Sequence, residues 1–122
     1  MADYPHIWLR VFLGPDTMFG PGKADLLQSI NETGSIAAAG RRMGMSYKRA
    51  WYLIDTLNAY FNEPLVVSVK GGAKGGGASL TETGQAVLTC YRSMQRKAEA
   101  AAAADLKKLA TLAKPPRTRE AI

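Results

Sequence analysis

The chain has 122 residues, is 47% hydrophobic and carries a formal net charge of +6. That length fits one domain with its own core, and the basic balance favours a polyanionic partner, either nucleic acid or an anionic membrane surface. One histidine (His6), one cysteine (Cys90) and no clustered acids leave no intrachain disulfide, catalytic triad, metal site or carboxylate pair, so the sequence is not read as an enzyme.

Ile7 to Leu13, IWLRVFL, alternates as a strand would, with Ile7, Leu9, Val11 and Leu13 on one face and Trp8, Arg10 and Phe12 on the other. Gly14-Pro15-Asp16 breaks it, and Phe19-Gly20-Pro21-Gly22 is a second breaker. His6 precedes the strand and reads as a surface residue. From Lys23 to Thr33 the pattern is helical, with Leu26, Leu27 and Ile30 on one side.

The next stretch, GSIAAAGRRMGMSYKRAWYLIDTLNAYF from Gly34 to Phe61, organises the chain. Gly34 can close the preceding helix, because glycine adopts the left-handed C′ conformation without a Cβ clash. Ser35 offers an N-cap hydroxyl, and Ile36, Ala39 and Met43 recur on one face of a short helix that Gly44 ends. Ser46 offers a second N-cap, opening a helix from Tyr47 towards Phe61. Two short-linked helices with a glycine in the turn form a helix-turn-helix. On the second helix, at about 100° per residue, Ala50, Leu53, Ile54, Leu57 and Phe61 share one side. Lys48, Tyr52 and Asp55 lie opposite, flanked by Arg49 and Trp51. A lone Lys-Arg pair is ordinarily a solvated pair of charges. Here the two caps, the glycine turn and the exposed basic and aromatic face together favour a DNA major groove.

Pro64 stops that helix, and Leu65 to Lys70 reads as a strand. Gly71 to Gly77 is a glycine-rich tip, and Ala78-Ser79-Leu80 resumes a strand, so the segment is a hairpin placed as a wing. A phosphate-cradling P-loop is excluded, since Lys74 precedes three glycines and a strand rather than Ser or Thr opening a helix. No βαβ unit surrounds it, which excludes a dinucleotide fingerprint. Lys70 and Lys74 are the only charges between Pro64 and Leu80, and a small cationic loop can approach a phosphate backbone closely.

Thr81-Glu82-Thr83-Gly84 offers a capped helix start, and nothing in the sequence then breaks the helix before Ala113. A continuous helix of that length would run about 45 Å. Leu88, Tyr91, Met94, Leu106 and Leu109 make an apolar stripe expected to pair with a second subunit. Cys90 reads as a small packing residue. The expected organisation is a DNA-binding domain over 1–80, a dimerisation helix over 81–114 and a basic tail over 115–122. The fold class is mainly α with a small β-sheet, a winged helix-turn-helix. No apolar run approaches the about 20 residues of a membrane span, and no signal peptide is evident.

Three motifs between Phe19 and Gly84 carry a family resemblance: ETGSI, the Met-Ser-Tyr-Lys-x-Ala-Trp turn and helix, and GGAKGGGA running into LT-x-x-G. They resemble the N-terminal domain of molybdate-dependent regulators of the ModE type and, more distantly, LysR-type heads. The resemblance implies a homodimeric winged helix that binds an operator in double-stranded DNA, with Ser46, Tyr47 and Lys48 opening the recognition helix. It also implies a wing formed by Lys74 and its glycines, and Trp51 at the edge of the helix packing. The longer members carry molybdate-binding barrels. This sequence is expected to build none, so no cofactor is expected, molybdate being implied by the resemblance alone, and it is expected not to sense molybdate with the high affinity of the longer members. The candidate DNA contacts are Ser35, Arg42, Ser46, Tyr47, Lys48, Arg49 and Tyr52 on the helices, and Lys70, Gly71, Gly72, Lys74 and Gly75 on the wing. The expected role is a cytoplasmic, nucleoid-associated transcriptional regulator, a repressor. The competing expectation is an architectural or protein-interaction module without operator recognition.

Overall fold

The computed structural model describes residues 4–69 and 77–114. Its elements are β1 (Val11–Gly14), β2 (Thr17–Phe19), α1 (Pro21–Thr33), α2 (Ile36–Arg42), α3 (Tyr47–Tyr60), β3 (Val66–Val69), β4 (Gly77–Leu80), α4 (Glu82–Ala101) and α5 (Ala103–Leu112). The strands form two separate antiparallel hairpins, β1–β2 and β3–β4.

The N-terminal strand is shorter than expected and has a partner. Ile7, Leu9 and Val11 are half-buried and Trp8, Arg10 and Phe12 exposed, as alternation requires. Leu13 lines one cleft with Val11, Phe19 and Tyr91 but stays 58% exposed, and the register slips between Phe12 and Gly14. Phe12 pairs with Met18, and Val11 with Phe19. Helix α1 starts two residues before the expected Lys23, with Pro21 in its first turn, where a missing N–H costs nothing.

The three-helix head follows from local signals. Gly34 closes α1 at φ 71°, its N–H donating to the Ile30 carbonyl at 2.8 Å. The Ser35 hydroxyl accepts from Ala38 N, and the Ser46 hydroxyl from Arg49 N, each at 3.0 Å. Gly44, at φ 69°, makes the turn between α2 and α3. The two helices cross closely at Gly40, where an added Cβ would lie 3.4 Å from both Ala50 Cβ and the Met45 carbonyl oxygen. Leu26, Leu27, Ile30, Ile36, Ala39, Ala50, Ile54, Leu57 and Leu65 bury together in the core.

Asn58 joins the wing to α3. Its Oδ1 accepts from Leu65 N at 2.8 Å and Val66 N at 3.2 Å, and its Nδ2 donates to the Val66 carbonyl at 3.2 Å. On the other strand, Ala78 N donates to the Gly34 carbonyl at 2.9 Å. Thr81 caps α4 by accepting from Gly84 N at 2.9 Å. Gly84 is buried so tightly that a Cβ would sit 2.2 Å from the Leu65 carbonyl oxygen.

The expected continuous terminal helix is two helices. The chain bends at Ala102 (φ −98°, ψ 10°), with neither proline nor glycine present. The bend coincides with tertiary contacts: Ile7 N donates to Glu99 Oε2 at 3.3 Å, and Tyr4, Pro5 and His6 form one cleft with Leu106, Leu109 and Ala110. A second correction concerns the stripe. Leu88 and Tyr91 are 8% and 1% exposed and belong to the domain's own core, so they are not free to meet a second subunit. Arg92 fastens the same helix to α1, donating to Gln28 Oε1 at 2.8 Å and Asp25 Oδ1 at 2.9 Å.

Candidate nucleic-acid interface

Helix α3 separates its two faces as the sequence pattern requires. Ala50, Ile54 and Leu57 are buried, whereas Tyr47, Lys48, Arg49, Tyr52 and Asp55 are exposed. Tyr47 and Tyr52 are 56% and 60% exposed, unusually open for aromatic side chains with no solvent-facing role. The Arg49 guanidinium lies over the Tyr52 ring, 5.8 Å from its centroid. That stacking holds a flexible cation in a limited set of positions. Tyr47 meets Trp51 edge-on, with ring centroids 6.3 Å apart.

The N-terminal ends of α2 and α3 converge with the wing. Ser35, Ile36, Ala37, Tyr47, Trp51, Ser68 and Val69 line one cleft of about 330 Å³. Thus Ser35 and Tyr47 are brought together, 12 positions apart in sequence. Both cap hydroxyls spend a lone pair on the backbone, which leaves each O–H proton free to donate outward. Such donors, with Lys48 and Arg49 beside them, match phosphate oxygens and base edges.

Arg42 stands apart from this group. It pairs with Glu32 at the end of α1. Hydrogen bonds from Gln28 and Arg42 hold the Glu32 carboxyl below its ordinary range. Arg42 is therefore partly neutralised by its own domain. Lys70, Gly71, Gly72, Lys74 and Gly75 lie outside the described residues. The two strands that carry them are ordered with full antiparallel register from Val66↔Leu80 to Val69↔Gly77.

Sequence reading missed Asn58 and Ser68. Asn58 looked like one more polar helical residue, because its partners lie beyond Pro64 and cannot be inferred from periodicity. Ser68 looked like a strand residue of no consequence, and only the wing's approach to Tyr47 and Trp51 gives it a place.

The bacterial regulatory helix-turn-helix of the lysR family matches residues 23–85, and the chain belongs to that family. Among its relatives, the Molybdenum transport protein ModE of Azotobacter vinelandii is 43% identical over 84 residues, covering 66% of this chain and 31% of that protein. The Transcriptional regulator ModE of Yersinia pestis is 40% identical over 81 residues, covering 64% and 31%. These names agree with the ModE-type resemblance carried by the motifs. The chain spans about a third of the length of these relatives. Among solved structures, the CbnR_DBD–DNA complex superposes with a TM-score of 0.53 at 22% identity, over 74% of this chain and 95% of that one. It shares the winged helix-turn-helix fold.

Proposed function

We propose that this chain is the sequence-reading unit of a transcriptional regulator, inserting α3 into the major groove of an operator. The observation that carries this is the division of α3. Its buried side fixes the helix in the head, while Lys48, Arg49 and Tyr52 project from the other. Ser35, Ser46 and Tyr47 supply further donors at the same end. The wing, including Lys70 and Lys74, follows the adjacent backbone. Repression is the simplest outcome, since an occupied operator excludes other proteins. The reading places the protein in the bacterial cytoplasm on the nucleoid and assigns it no catalytic step.

The operator-bound form is a homodimer, because twofold symmetry doubles a short footprint. Support comes from the apolar surface the fold leaves open. Met94 is 37% exposed, Leu109 64% and Leu112 75%, and α5 has no buried residue. With Leu88 and Tyr91 committed to the core, Met94, Leu106 and Leu109 remain as the dimerisation set.

The test is filter retention of fragments from the source genome. Enrichment of a few fragments sharing an inverted repeat supports the reading. Retention without sequence preference contradicts it.

A further inference from the structure

A second cleft, of about 470 Å³, opens on the opposite flank of α3 from the wing, and Trp8, Arg10, Lys23, Met45, Arg49 and Leu53 line it. No described acidic residue does. Tyr47 and Trp51 face the wing-side cleft, while Arg49 and Leu53, each two positions on, face this one. Recognition-helix side chains therefore border a cleft on each side.

Two of the three cations here, Lys23 and Arg49, are held by neighbours. Lys23 Nζ donates to the Met18 carbonyl at 2.7 Å and lies 5.1 Å from the Tyr60 ring centroid. Arg10 is exposed and makes no described ion pair. Its stem packs on the start of α1, where a Cβ on Gly20 would come within 3.4 Å of Arg10 Cγ and 3.1 Å of Met18 Sδ. Glycine at position 20 lets the N-terminal segment lie this close. The first turn of α1 has neither a side-chain cap nor an acid to offset its dipole, which adds to the positive field.

We propose that Arg10 binds the phosphate backbone on the flank of α3 away from the wing, with Arg49 beside it and Lys23 supplying fixed charge. This deepens the DNA-binding reading and rests on it. A helix about 10 Å across nearly fills a major groove about 12 Å wide, so a phosphate strand borders it on each side. The wing accounts for one border. The other meets this cleft, whose cations complement it. Arg10 lies outside the residues 23–85 that define the family, so the contact belongs to the N-terminal segment of this chain.

The experiment is fluorescence anisotropy of a labelled random-sequence duplex several helical turns long, titrated with the full chain over a series of salt concentrations. For Arg10→Ala the log–log salt slope is expected to shrink by about 0.9, the share of one neutralised phosphate. The loss should be equal on selected genomic fragments, Arg10→Lys should restore most of the slope, and Arg10→Glu should enlarge the loss. Circular dichroism confirms that each variant is folded. If wild type binds with a steep slope and folded Arg10→Ala and Arg10→Glu match it, this contact is refuted while the reading of α3 stands. If wild type does not bind duplex at all, the reading of α3 fails first, and this contact with it.

Discussion

The Tyr91 hydroxyl donates to the Leu9 backbone carbonyl at 2.6 Å, joining α4 to the N-terminal segment across 82 positions of sequence. The ring is 1% exposed and meets Phe19 edge-on at 5.1 Å between centroids. One side chain thus closes the core and holds in place the segment that carries Trp8 and Arg10.

The burial of this phenol has a pH signature. Burial pushes the Tyr91 phenol above its ordinary value of 10.0, because the loss of water from the ionised form outweighs the favourable charge of Arg92 nearby. The native state therefore keeps its proton after the unfolded chain has begun to lose one. The stabilisation is complete below pH 10 and declines as pH rises through the raised native value. Tyr91→Phe should cost about 1 kcal/mol at neutral pH, the net worth of one hydrogen bond. It should also flatten the alkaline loss of stability relative to wild type. Urea denaturation across the alkaline range measures both, and parallel curves for the two proteins would contradict the assignment.

Ser46 separates folding from binding. Its hydroxyl accepts from Arg49 N, so Ser46→Ala should cost about 1 kcal/mol in thermal denaturation. Ser46→Asp supplies an equivalent acceptor and suits the helix N-terminus, so it should hold stability near that of wild type. Its negative charge would nevertheless face the DNA backbone and should weaken duplex binding more than the alanine variant does. Equal binding by the aspartate variant and wild type would place the start of α3 away from DNA.

What the sequence revealed divides along local and non-local lines. Gly34, Ser35, Gly44 and Ser46 act within a few residues of themselves, so their caps and turns were readable. The split of α3 was readable because a helix with one buried side writes its period into the sequence. Strand β2 was not, being three residues between two breakers. The exposure of Leu13 was not readable either, since an irregular ladder position is invisible to a period-two pattern. The bend at Ala102 has no local cause, because alanine favours helix and the contacts involve residues 4–7. The stripe on α4 announced that something covers Leu88 and Tyr91. The expected pairing with another subunit fails for these two, because periodicity marks a covered face and not what covers it, and the fold covers them with the domain itself.

The corrected stripe leads to a prediction with an internal control. Leu109 is exposed on α5, so Leu109→Glu should leave the fold's stability nearly unchanged and dissociate the proposed dimer. Leu88→Ala removes a buried core side chain and should cost about 2–5 kcal/mol. Sedimentation velocity and thermal melts on both variants separate the effects. A Leu109→Glu protein of unchanged oligomeric mass would remove α5 from the interface.

The most direct test concerns Lys48 and Tyr52, which project from α3 and support nothing in the core. Affinities of wild type, Lys48→Ala and Tyr52→Ala should be measured for a selected genomic fragment and, at the same salt, for a random duplex. If α3 reads bases, either substitution should cost the selected fragment about 1–3 kcal/mol while changing the random duplex far less, so that discrimination collapses. If both substitutions leave the ratio of the two affinities as it is in wild type, α3 is not the reading helix.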